Sequence, residues 1–127
     1  MRISKKTEYG LTAVLYLARN KNNEAVSIRE ISNAEAVPFE FLSKILAYLE
    51  KIKLVTAKRG VKGGYILAKN PKEITVSHVV SSLENIKVAN CQICARSRKC
   101  LTKDMWNKID EAVSRTLSSI TLADLIK

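Results

Sequence analysis

Leu54-Val55-Thr56-Ala57-Lys58-Arg59-Gly60-Val61-Lys62-Gly63-Gly64-Tyr65-Ile66-Leu67-Ala68 is the stretch on which the reading of the fold turns. Two short runs suited to strands, Leu54 to Ala57 and Tyr65 to Ala68, flank a segment whose glycines allow the positive φ of a tight turn. The pattern predicts a hairpin over about 54–68. Lys58, Arg59 and Lys62 fall in its turn and Lys53 and Lys69 beside it, with no acidic residue from Lys51 to Lys72. Positive charge concentrated on a hairpin suits a polyanion, and the hairpin is expected to be a wing.

Upstream of it, Phe39, Leu42, Ile45, Leu46, Leu49 and Ile52 recur at helical spacing after Pro38, whose fixed φ suits a first helical turn. The wet face of this helix carries Glu40, Ser43, Lys44, Ala47 and Lys51, short or polar groups able to approach base edges. Ser27-Ile28-Arg29-Glu30 reads as a capping box opening a shorter helix that ends near Ala36. A helix-turn-helix over about 27–52 followed by a wing is therefore expected. An earlier helix, from Ser4 as cap to about Arg19, presents Tyr9, Leu11, Val14, Leu15 and Ala18.

Downstream, Thr75 can cap a helix through Val76, Val79, Val80 and Leu83, with His78, the single histidine, on its surface. From Leu101 to about Ser119 a broad apolar stripe of Met105, Trp106, Ile109, Ala112, Val113, Thr116, Leu117 and Ile120 predicts a long helix that needs a partner. Met105 and Trp106 are assigned to that interface rather than to a ligand pocket. Thr121-Leu122-Ala123-Asp124 could cap a short terminal helix. The expected fold is mainly α with a small β-hairpin wing: a winged helix-turn-helix domain over 1–83, a cysteine loop over 84–100, and a dimerisation helix with a terminal helix over 101–127.

The 127 residues suffice for one compact domain with an appendage, and the net charge of +10, from 22 Lys+Arg against 12 Asp+Glu, favours nucleic acid as partner. Double-stranded DNA is expected, with no membrane, since no stretch approaches the roughly 18–20 apolar residues that span a bilayer. The opening MRISKKTEYG has no uninterrupted apolar run, and a cytoplasmic protein is expected.

Cys91, Cys94 and Cys100 are the chain's only cysteines. An odd number at tight spacing argues against a closed disulfide set and suits metal or iron–sulfur ligation, with zinc or metal-free reactive thiols as alternatives. Arg96, Arg98, Lys99 and Lys103 around them would favour thiolate and offset the charge of a thiolate-bound cluster. A thiol oxidoreductase using Cys91 and Cys94 lacks the strand–turn–helix setting and a general base, so no enzyme is expected.

Several of these segments together are specific: Lys6-Thr7-Glu8-Tyr9, Ser27-Ile28-Arg29-Glu30-Ile31, Phe41-Leu42, Arg59-Gly60 with Gly63-Gly64-Tyr65, Glu73-Ile74-Thr75, Cys100-Leu101-Thr102 and Ile120-Thr121-Leu122-Ala123-Asp124-Leu125. In their order the chain resembles the family of bacterial winged-helix regulators that includes IscR, NsrR and CymR, in its cysteine-bearing, iron–sulfur branch. The resemblance implies a homodimeric transcription factor, in the main a repressor, whose third helices enter the major groove and whose wings reach the minor groove. On this chain it points to Ser27, Pro38, Glu40, Ser43, Lys44, Arg59, Gly60, Lys62 and Gly63 at the DNA. It also implies a cluster, 2Fe-2S or 4Fe-4S, on Cys91, Cys94 and Cys100, sensing cluster status, iron, redox or nitric oxide. Two features depart from the commoner members: two residues rather than five separate Cys91 from Cys94, and Lys103 stands where IscR-like members have a histidine ligand. Glu8 matches the position from which NsrR-like members draw an acidic ligand in trans, and is the candidate fourth ligand. Members without a cluster imply a second possibility, control by thiol oxidation or a partner protein.

Overall fold

The structure is a computed structural model, and it describes residues 3–20, 24–84 and 101–126. Among the described residues six α-helices and one hairpin follow in the order α1 (Lys5–Arg19), α2 (Ile28–Glu35), α3 (Phe39–Lys51), β1 (Val55–Lys58), β2 (Gly64–Leu67), α4 (Val76–Leu83), α5 (Lys103–Ser119) and α6 (Leu122–Leu125), with a 3₁₀ turn at Pro71–Glu73 before α4. This is a mainly helical chain with a two-stranded antiparallel wing, as the sequence predicts.

The helices begin where capping chemistry permits. Ser4, Ser27, Thr75 and Thr121 each accept a hydrogen bond from the backbone N–H three residues on, satisfying one of the donors that a helix start leaves unpaired. Only half of the box expected at α2 forms: the Ser27 hydroxyl accepts from Glu30 N–H at 3.1 Å, whereas the Glu30 carboxylate accepts from the Tyr16 hydroxyl at 2.8 Å. Tertiary contact with α1 thus diverts the acidic half. Pro38 is the cap of α3 rather than a residue of its first turn. Ala36, left-handed at φ 54°, ends α2 and makes the turn into α3 short. His78 is exposed as expected, and its Nδ1 also accepts from the Thr75 N–H at 3.2 Å, completing the box that opens α4.

The core gathers Val14 and Leu17 of α1, Ile31 of α2, Leu42, Ile45, Leu46 and Leu49 of α3, Val79 of α4, Val55 of β1 and Leu122 of α6. On α1 the dry face runs through Thr7, Gly10, Ala13, Val14, Leu17 and Ala18, while Tyr9, Leu11 and Leu15 are only half-buried. The small residues admit α4 closely: a Cβ on Gly10 would collide with Leu83 Cδ1. Leu122 is fully buried because Val76 N–H donates to Ile120 O at 2.8 Å and Leu122 N–H to Ile74 O at 2.9 Å. The terminal helix is thereby fastened beside the start of α4.

The hairpin lies one residue off the expected strand limits, with Val55 opposite Leu67 and Lys58 opposite Gly64. Val26 adds a bridge to Tyr65, exchanging N–H···O bonds of 2.9 and 2.8 Å. Gly64 is required there, since a Cβ would run into the Val26 carbonyl. The wing is therefore anchored to the entrance of the helix-turn-helix.

Candidate nucleic-acid interface

Helix α3, the cap of α2 and the hairpin carry the exposed polar and basic residues of the candidate interface. Because Leu42, Ile45, Leu46 and Leu49 are all buried, the 100° step per residue turns Glu40, Lys44, Ala47 and Lys51 outward, and all four are exposed. Ser43 is half-buried at the edge of that face, and Pro38 is exposed at its start. The exposed Ser27 caps the neighbouring helix. Tyr48 fixes the helix from behind, its hydroxyl donating to Ser82 O of α4 at 2.9 Å. Glu50 fixes it to the hairpin, accepting from Ala57 N–H at 3.2 Å.

At the tip of the wing, Lys58, Arg59, Gly60, Val61 and Lys62 are all exposed. Gly60 takes φ 122°, a region that side chains avoid, and its carbonyl accepts from Gly63 N–H at 2.9 Å to close the turn. Among the described residues neither Arg59 nor Lys62 makes an ion pair, whereas Lys5 pairs with Glu8 at 3.1 Å on α1. Glu24 and Glu30 border the same surface as Arg59 and Lys62 without forming an ion pair with them. The cations at the tip consequently keep their charge for a polyanion.

Two aromatic contacts flank the first turn of α3. The Arg29 guanidinium lies 4.8 Å from the centroid of Phe39, and Phe41 meets Tyr9 edge-on with centroids 5.4 Å apart. On the α1 side, Lys6 sits 5.1 Å over the ring of Tyr48. Phe39, expected on the dry stripe, is instead 40% exposed. It stands at the margin of the stripe, one helical step from Glu40, and α2 supplies a cation rather than an apolar cover.

Cys91, Cys94 and Cys100 lie outside the described residues, so the expected metal ligands are represented here by Glu8 alone. Glu8 is exposed in the first turn of α1, and its hydrogen bond and charge hold the Lys5 ammonium above the ordinary lysine range. Among the described residues no group of three His, Cys, Asp or Glu side chains is placed to hold a metal. The last described residue before the cysteine segment, Glu84, is tied to the start of α1. Ser4 N–H and the Thr7 hydroxyl both donate to its Oε2 at 2.8 Å. Sequence reading missed Glu84 and the Arg29–Phe39 pair, because both depend on contacts between separate elements.

Residues 3–127 match the family described as "Rrf2: Iron-dependent Transcriptional regulator". The chain is 33% identical to the HTH-type transcriptional regulator IscR of Serratia proteamaculans over 130 residues, 99% of this chain and 79% of that protein. It is similar to the solved structure of T. potens IscR, with a TM-score of 0.83 and 32% identity, covering 99% of this chain and 86% of that one. The solved CymR of B. subtilis, described as the global cysteine regulator, gives a TM-score of 0.84 and 30% identity over 99% of this chain and 96% of that one. These relatives are regulators of transcription rather than enzymes. With the family match spanning both the wing and the terminal helix, the chain belongs to the Rrf2 family of transcriptional regulators.

Proposed function

We propose that the chain is a homodimeric repressor that binds double-stranded DNA through the outward face of α3 and the wing and senses iron–sulfur status through its cysteine segment. The observation that carries the reading is a glycine-turned hairpin presenting Lys58, Arg59 and Lys62 beside an exposed polar helix face. In this arrangement Ser43 and Lys44 reach base edges from the major groove, Pro38 and Glu40 lie at the entrance of the helix, and Ser27 donates its hydroxyl to the backbone. Arg59 enters the minor groove, with Gly60, Lys62 and Gly63 shaping the tip around it. Domain limits at 1–83, 84–100 and 101–127 fit this division of labour.

The donor set fits an iron–sulfur cluster. Cys91, Cys94 and Cys100 supply three thiolates, and Glu8 of the partner subunit an exposed carboxylate. Bound there, a cluster would supply a redox- and ligand-sensitive centre, more labile at a carboxylate-held iron than in an all-thiolate shell. This chain's own part is to couple the segment to α1 through Glu84, whose carboxylate holds Ser4 and Thr7.

Iron and sulfide analysis, with a visible spectrum of protein purified without oxygen, tests the sensor. Stoichiometric iron and sulfide, lost together with the spectrum in Cys94→Ala while the fold persists, is the expected result. Their absence after anaerobic reconstitution would overturn it. A second reading, a cluster-free or zinc-bound regulator controlled by thiol oxidation or a partner protein, draws support from the similarity to a protein described as a global cysteine regulator.

A further inference from the structure

We propose that Phe39 is a specificity-determining contact of the DNA interface, its ring reading the 5-methyl group of a thymine in the major groove, and that Arg29 is the residue positioning it. The inference rests on the DNA-binding reading above and names the base feature that this site recognises.

Phe39 opens α3, yet it is 40% exposed although the helix's dry face is complete without it in Leu42, Ile45, Leu46 and Leu49. A phenyl left in water forgoes burial worth about 25 cal/mol per Å², so its exposure at the first turn of this helix favours a site that buries it on binding. In helix-turn-helix docking the N-terminal residues of this helix contact base edges. Phe39 also lies one turn before Ser43, on the edge of the outward face nearest the wing.

Arg29, stacked 4.8 Å from the ring centroid, is within cation–π range and limits the ring's freedom before DNA arrives. Together with Ser27, Ala57, Lys58 and Tyr65, these two line a cleft between α2, α3 and the hairpin. Its lining combines the apolar surfaces of Phe39, Ala57 and Tyr65 with two cations, Arg29 and Lys58. A duplex presents the matching pattern where a thymine methyl, the apolar group on the major-groove edge, stands between phosphate rows. Phe41 is equally exposed, but its ring packs edge-on against Tyr9, at 84° between planes, on the opposite side toward α1. Of the two phenyls, Phe39 is the one that faces the cleft.

Selection of duplexes from a randomised pool by the full chain, by Phe39→Ala and by Phe39→Leu tests the assignment. The parent is expected to enrich a half-site with thymine at a position where Phe39→Ala has no preference, and Phe39→Leu to keep part of the preference. Replacing that thymine by deoxyuridine removes only the methyl. The parent should then bind roughly fourfold more weakly, the factor expected for one buried methyl, while Phe39→Ala is unchanged. Arg29→Ala should reduce the discrimination and leave the helical spectrum intact. Identical enriched sites for the parent and Phe39→Ala, or indifference of the parent to deoxyuridine throughout its site, would overturn the proposal. Enrichment of no sequence by the parent would instead overturn the DNA-binding reading on which it stands.

Discussion

Glu84 shows how one carboxylate connects distant parts of this chain. Its pKa lies below the ordinary glutamate range because Ser4 N–H, the Thr7 hydroxyl and the Ser4 hydroxyl all favour the charged form. A group whose carboxylate is favoured by folding contributes stability that is present above its unfolded pKa and is lost as pH falls through its folded pKa. Glu84→Gln should therefore lower the melting temperature at neutral pH, and the difference from the parent should shrink as pH falls through and below the ordinary glutamate range. A difference that persists unchanged into acid would show that charge is not what Glu84 supplies. Ser4 was legible as a cap because its signal is local. Glu84 was not, because its partner Ser4 is 80 positions away. Arg29 and Phe39 were similarly hidden: each is an ordinary residue on its own helix, and only the turn at Ala36 brings the guanidinium onto the ring.

At the scale of elements, α5 carries a stripe wider than its own chain covers. No residue of this helix is buried, Trp106, Val113 and Leu117 are half-covered, and Met105 and Ile109 are 46% and 37% exposed. Its main neighbour is α4. A second copy of α5 against Met105, Ile109, Ala112 and Thr116 would complete the burial, as the proposed dimer requires. Ile109→Glu would place a charge in that interface, and sedimentation should then report a monomer where the parent is a dimer. An unchanged mass would move the interface elsewhere. The length and stripe of α5 could be read from periodicity, since 17 residues give that signal room. The four-residue strands could be placed only to within a residue. Leu54 N–H closes the end of α3 on Leu49 O at 2.9 Å, while Leu54 O accepts from Ala68 N–H at 3.1 Å, so one residue serves both the helix end and the hairpin and blurs the boundary between them.

For the whole molecule, the net charge of +10 sets the expected salt response. About four phosphate contacts per subunit would give a dimer a slope near −7 in log affinity against log salt, and Arg59→Ala should flatten it by about one unit per contact removed, with the fold and any cluster unchanged. An Arg59→Ala slope equal to the parent's would remove Arg59 from the interface. Among the described residues no helix is long and apolar enough to cross a membrane. The sequence by itself determined the helix-turn-helix, the basic wing, three of the caps in full and the likeness to a family of regulators. These rest on periodicity, glycine and capping chemistry, which act over a few residues. Tertiary structure alone decided that Leu122 of α6 is buried beside α4, that Glu30 leaves its cap for Tyr16, and that Phe39 faces a cleft instead of the core. Each is a contest between a local preference and a partner far along the chain, and the partner's position exists only once the core has assembled.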